Sequence, residues 1–129
     1  MFTHVMLGAD DIDAAKTFYD ATLGVLGVPE GVIDEKGRIV YAHSGGRLLI
    51  TKPINGEPAS CANGGTIGFY AASTDLVDSW QAAGVAQGGT VIEDPAGIRD
   101  ATGGRRLYLA YLRDPSGNKL CAVHPVARA

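Results

Sequence analysis

The chain repeats itself. Gly45-Gly46-Arg47-Leu48-Leu49-Ile50-Thr51-Lys52-Pro53 matches Gly117-Asn118-Lys119-Leu120-Cys121-Ala122-Val123-His124-Pro125 position for position. A second set of matches sits at a single offset of 62: Val5 and Leu7 fall on Ile67 and Phe69, Asp13 on Asp75, and Phe18 on Trp80. Coincidence in period, cap and core positions together is improbable, and it restricts the fold to two copies of one half-domain. A half-domain of about sixty residues cannot bury both faces of its own sheet, so the copies must pair.

Each copy reads as a strand, a helix and further strands. Phe2 to Gly8 is short and apolar, with His4 and Met6 on one face and Val5 and Leu7 on the other. A helix follows, for which Asp10 is the expected N-cap; Ile12, Ala15, Phe18 or Tyr19 and Leu23 recur at helical spacing, and Gly24 and Gly27 stop it. Strands are expected between Val28 and Asp34, from Gly37 to Ala42 and from Arg47 to Thr51. Residues 54–64, rich in Pro, Gly, Asn and Ser, form a linker. The pattern then restarts: a strand from Thr66 to Ala71, a helix capped by Ser73 or Thr74 and ended by Gly84, a strand at Val91-Ile92, and a turn-rich loop from Asp94 to Gly104. The hairpin Leu107 to Val123 follows, turning at Asp114-Pro115-Ser116-Gly117, where proline presets φ and glycine accepts φ > 0. The expected domain is single, residues 1–129, with module one at about 1–53 and module two at about 65–125. Helices cover the outer face, while His4, Met6, Thr66, Gly68 and Tyr70 face an inner cleft.

Composition narrows the function. With 46% hydrophobic residues, 19% charged residues and a net charge of −3, the chain has the balance of a soluble globular domain and no basic footprint for nucleic acid. No apolar run reaches the roughly 18 residues a membrane span needs, and Met1 leads directly into a strand without a basic and apolar signal, so a cytoplasmic location is expected. Cys61 and Cys121 form no metal or redox spacing motif with each other and are expected to be free thiols.

Three stretches together resemble the vicinal oxygen chelate superfamily, which includes glyoxalase I, extradiol dioxygenases and bleomycin resistance proteins. They are His4 followed by Asp10-Asp11-Ile12-Asp13 and Phe18-Tyr19; Gly65-Thr66-Ile67-Gly68-Phe69; and Arg113-Asp114-Pro115-Ser116-Gly117-Asn118-Lys119-Leu120. The resemblance implies an α+β fold of two βαβββ modules forming an open, cleft-bearing β-barrel, and a homodimer. It also implies metal ligands in the first and last strand of each module, at positions occupied here by His4, Leu49, Thr66 and Cys121. Only His4 is a ligand type commonly used there, and Cys121 stands where glutamate is usual. One imidazole and one thiol are too few for a divalent ion, so no native metal or other cofactor is expected. The alternative is a divalent metal such as zinc on His4 and Cys121 with a third donor.

His4 is read either as a cleft-wall histidine or as an acid–base group, and Tyr70 as a second catalytic candidate that stabilises an oxyanion. Met6, Thr66, Gly68 and Cys121 are expected to touch a ligand, Cys121 behaving as a small hydrophobe. The segment from Arg99 to Arg106 reads either as a solvated loop or as a glycine-hinged lid whose arginines, Arg105 among them, hold an anion beside Tyr108 and Tyr111. The function that fits is a small-molecule-binding protein of the glyoxalase or bleomycin-resistance type, its ligand held between the modules without the metal. The alternative is a metal-dependent lyase, isomerase or dioxygenase acting on a small carbonyl or oxygen-rich compound.

Overall fold

A computed structural model describes residues 1–127, so the last two residues of the expected domain lie outside the described residues. The first module consists of β1 (Val5–Gly8), α1 (Ile12–Val25), β2 (Val32–Ile33), β3 (Ile39–His43) and β4 (Gly46–Thr51). The second consists of β5 (Ile67–Tyr70), α2 (Thr74–Ala86), β6 (Thr90–Val91), β7 (Gly97–Asp100), β8 (Arg106–Arg113) and β9 (Lys119–Val126). The sheets run in the order β1-β4-β3-β2 and β5-β9-β8-β6, with β7 added on β8. The two sheets are not closed on each other, and the fold is the expected α+β arrangement of two helices and two sheets.

The repeat survives in register as well as in order. β1 runs parallel to β4 with Val5 opposite Leu48 and Met6 opposite Leu49. β5 runs parallel to β9 with Ile67 opposite Leu120 and Gly68 opposite Cys121. Because paired residues share a face, Val5, Leu48, Ile67 and Leu120 occupy one side of their sheets and Met6, Leu49, Gly68 and Cys121 the other. The first set joins the core with Phe18, Tyr19, Val77 and Trp80 of the helices, so the core is on the helix side.

Local chemistry corrects two expectations. The N-cap of α1 is Asp11, whose carboxylate accepts the Ala14 N–H; Asp10 instead accepts the Ala59 N–H and ties the linker to the module. Ser73 caps α2 by accepting from Leu76 N, as expected. The turn-rich stretch from Asp94 contains β7, which pairs with β8 from Gly97 opposite Leu109 to Asp100 opposite Arg106. Its strand character was masked because Gly97, Arg99 and Asp100 carry little β propensity and are placed by pairing with a long neighbour.

The helices cross closely at Gly84 of α2. A Cβ there would overlap the end of Leu112 and lie 3.2 Å from both Phe18 and Thr22 of α1. A buried polar knot makes the second link between modules. The Asp114 carboxylate, 5% exposed, accepts hydrogen bonds from the Tyr19 hydroxyl, from the Ser116 and Asn118 N–H groups and from Asn118 Nδ2. Asn118 Nδ2 also donates to the Gly8 carbonyl at 2.9 Å. The turn of the second module is thus bonded to both β1 and α1 of the first. Gly117 completes it at φ 92, where a side chain would be strained.

Tyr19→Phe removes a hydrogen bond to a buried carboxylate and should lower unfolding stability by about 1.5–3 kcal/mol in urea titration. Asp114→Ala leaves several buried donors unpaired and should cost more than Tyr19→Phe; equal stability of all three proteins would exclude the knot as a link between modules.

Candidate functional site

Where α1 ends at Val25, the helix side of the sheets is left partly uncovered. The chain turns away through Leu26 and Val28, and a cavity of about 550 Å³ opens between the modules. Its walls are Val5 and Leu48 from the first sheet, Ile67 and Phe69 from β5, and Leu23, Leu26 and Val28 from the end of α1. Tyr41 closes one wall, while His43, Ser44, Gly46 and Arg47 border it from the β3–β4 hairpin. Gly68, Tyr70 and Ala72 border it from the opposite module. The size is that of an ordinary small-molecule site.

A polar brace holds the wall. Tyr41 donates its hydroxyl to Asp20 Oδ1 at 2.7 Å, the Gly31 N–H donates to the same oxygen at 3.0 Å, and Lys16 Nζ pairs with Asp20 Oδ2 at 2.6 Å. Burial acts to raise the Asp20 pKa, but the bonds from Lys16, Gly31 and Tyr41 outweigh it and hold the carboxyl below its usual value. Burial, followed by the bond to Asp20, pushes the Tyr41 phenol far above its ordinary value. Tyr41 therefore stays neutral and acts as a fixed wall, not as a proton donor to a ligand.

The face away from the helices carries most of the residues singled out from sequence, without gathering them into one site. His4 is exposed just before β1, its Nδ1 2.9 Å from Thr3 Oγ1; Thr66, at the equivalent place before β5, is exposed too. Met6 is 41% and Tyr70 69% exposed. Cys121 is buried under Gly68, where an added Cβ would lie 3.3 Å from its Sγ. Burial raises the Cys121 thiol pKa, with Lys119 lowering it and Glu93 adding to the rise. Beside it Tyr111 lies 5.0 Å beneath Lys119 Nζ, which is also paired with Glu93. Burial first, then Cys121 and Glu93, raises the Tyr111 phenol, while Lys119 and Arg99 pull it back.

Tyr108 and Tyr111 do not serve one site. Three residues apart on β8, they emerge on opposite faces, and Tyr108 is bonded on the helix side to Asp78 at 2.8 Å. The arginines are largely engaged in local structure: Arg99 donates to the Pro95 carbonyl and Arg106 to Asp100. Arg105 is exposed, and its carbonyl accepts the Ala101 N–H. Of the named candidates, only Gly68 and Tyr70 border the cavity.

The positions implied for metal ligands provide two donor side chains, His4 and Cys121, with Leu49 and Thr66 at the others. Among the described residues no group of three or more His, Cys, Asp or Glu side chains could hold a metal ion. The donor set present does not fit the family's metal.

A family model for the Glyoxalase/Bleomycin resistance protein/Dioxygenase superfamily matches residues 1–122, and the chain belongs to that superfamily. It is similar to a crystallised glyoxalase/bleomycin resistance protein from Albidiferax ferrireducens, at 52% identity and a TM-score of 0.92, covering 96% of this chain and 98% of that one. A lactoylglutathione lyase from Agrobacterium tumefaciens is similar at 27% identity and a TM-score of 0.64, covering 96% and 92%. A glyoxalase-related enzyme from Fulvimarina pelagi shares the fold at 17% identity and a TM-score of 0.71, covering 100% and 99%. No curated protein matches the chain. Among the described residues no helix is long and apolar enough to cross a membrane.

A carboxyl with a depressed folded-state pKa stabilises above its unfolded value and loses that contribution as pH falls through the folded value. Asp20→Asn should therefore be less stable than the parent near neutrality, with the gap closing below about pH 4 in denaturant titrations; a gap independent of pH would exclude the brace. Native protein treated with iodoacetamide should be alkylated at exposed Cys61 and, only after unfolding, at Cys121.

Proposed function

We propose that the protein binds a small, largely apolar molecule between its two modules and does so without the superfamily's usual metal. The cavity of about 550 Å³ carries this reading, because both modules and the end of α1 contribute apolar side chains to it. The expected cleft was on the face away from the helices; the cavity instead opens on the helix side, where Val5, Ile67 and Phe69 had been expected to lie under helix. Binding there needs no Lewis acid. The two-donor remnant on the opposite face fits the same reading, since catalysis by polarising vicinal oxygens requires a metal that His4 and Cys121 alone cannot hold.

The same exposed faces support association with a second copy. Met6 and Val32 sit on the side of the first sheet away from its helix, at 41% and 67% exposure, and a matching apolar surface on a partner would remove them from water. The working form is accordingly a homodimer in the cytoplasm, with a small molecule as ligand.

Thermal-shift screening of the purified protein against small apolar compounds should find binders whose effect is abolished by Ala72→Trp, which fills the cavity from its exposed edge. Binders indifferent to that change would place the ligand elsewhere. Metal analysis by mass spectrometry, after zinc, nickel, manganese and iron(II) have each been offered and the excess removed, should give far less than one ion per chain. Near-stoichiometric metal lost on His4→Ala would instead establish the metal-dependent lyase, isomerase or dioxygenase reading.

A further inference from the structure

The cavity has walls of one character and a mouth of another. Val5, Leu23, Leu26, Leu48, Ile67 and Phe69 offer only hydrocarbon and ring surface. The β3–β4 hairpin brings His43, Ser44 and Arg47 to the opening, and no carboxylate is among the described residues that line it. Of the acids behind the wall, Asp20 is already occupied by Lys16, Tyr41 and Gly31, and Glu30 acts on the same Tyr41 and Lys16 without lining the cavity. Arg47 and His43 form no ion pair or side-chain hydrogen bond with any described residue, whereas Lys16, Arg38, Arg106 and Lys119 each have an acidic partner. Ser44 adds an unpaired hydroxyl and holds it at φ 50, a left-handed conformation that favours glycine or asparagine.

The internal repeat sharpens the contrast. At the offset of 72 that aligns Gly45 with Gly117, the first module has Ala42 and Gly46 where the second has Asp114 and Asn118. The second turn meets the opposite module through a self-satisfied carboxylate knot. The first has no such knot, and what borders the cavity there is an arginine, a histidine and a hydroxyl without partners.

We propose that the ligand is an amphipathic anion, an aliphatic or aromatic tail bearing a carboxylate or comparable acidic head, with the tail between Val5, Leu48, Ile67 and Phe69 and the head against Arg47 and His43 at the hairpin. This rests on the proposed function and names the ligand class for that cavity. A guanidinium gives an acidic head a bidentate, charge-assisted partner, while the apolar walls select for a tail and against small hydrophilic anions.

The test compares decanoate, decanol and decyltrimethylammonium, each below its micellar concentration, by thermal shift and isothermal titration calorimetry. Decanoate should bind saturably and about tenfold more tightly than decanol, the worth of one charge-assisted contact, and the ammonium compound more weakly than decanol. Arg47→Gln should reduce decanoate to the level of decanol and leave decanol unchanged, whereas Lys52→Gln, an exposed cation that does not line the cavity, should alter neither. Ala72→Trp should abolish all binding. Equal or tighter binding of decanol or the ammonium compound, or indifference of decanoate to Arg47→Gln, overturns the anionic head and leaves the cavity as a binding site. No binding by any of the three overturns the anion proposal and the apolar-ligand reading beneath it.

Discussion

The contact on which the rest depends is the buried carboxylate of Asp114. A charged group at 5% exposure persists only when its acceptor capacity is filled, and here two backbone N–H groups, the Asn118 amide and the Tyr19 hydroxyl fill it. Three of these bonds hold the turn in shape, and the bond to Tyr19 reaches a helix in the other half of the chain. Asn118 then extends the link to the Gly8 carbonyl. With Gly84 letting α2 settle against Phe18 and Thr22, this defines how the modules sit on each other. The cavity between them is a consequence of that placement.

The two halves share a register but not a means of closure. In the second, the β8–β9 turn is a polar knot driven into the opposite module. In the first, the corresponding hairpin carries Ala42 and Gly46 at the knot positions and stops at the edge of open space. Duplication supplies two equivalent corners, and here one locks the molecule while the other borders the cavity. That division explains why apolar side chains of the helix-side core, Val5 and Ile67 among them, are only partly buried although their neighbours Leu120 and Ile50 are fully buried.

Much of the fold was legible because its signals are local or repeated. The offset of 62 placed β1 with β5 and α1 with α2, and the Asp-Pro-Ser-Gly turn placed the last hairpin. Strand β7 was not legible, since Gly97, Arg99 and Asp100 take their conformation from pairing with β8. Asp11 displaced Asp10 as N-cap because two adjacent aspartates satisfy the same rule and only the path of the linker, reaching Asp10 through Ala59, separates them. The site was less legible than the fold. Tyr108 and Tyr111 looked like a pair, although a separation of three on a strand sends them to opposite faces. The cavity depends on where α1 stops relative to two strands from different modules, and that is a tertiary distance. Gly24 and Gly27 marked the end of the helix, but nothing local marked what it would leave uncovered.

Family membership sets the architecture, and the side chains present set what it can do. His4 and Cys121 share the positions implied for metal ligands with Leu49 and Thr66, while the space between the modules is apolar, of small-molecule size and braced by the neutral Tyr41 against a charged Asp20. The proposed binding requires that space to be accessible to an apolar guest. Crystals of the protein pressurised with xenon test this directly, since xenon enters apolar cavities irrespective of any head group. Xenon is expected among Val5, Leu48, Ile67 and Phe69 and should be lost in Ala72→Trp. A cavity filled by rearranged side chains and free of xenon, or xenon confined to the opposite sheet face around Met6 and Leu49, would contradict that accessibility.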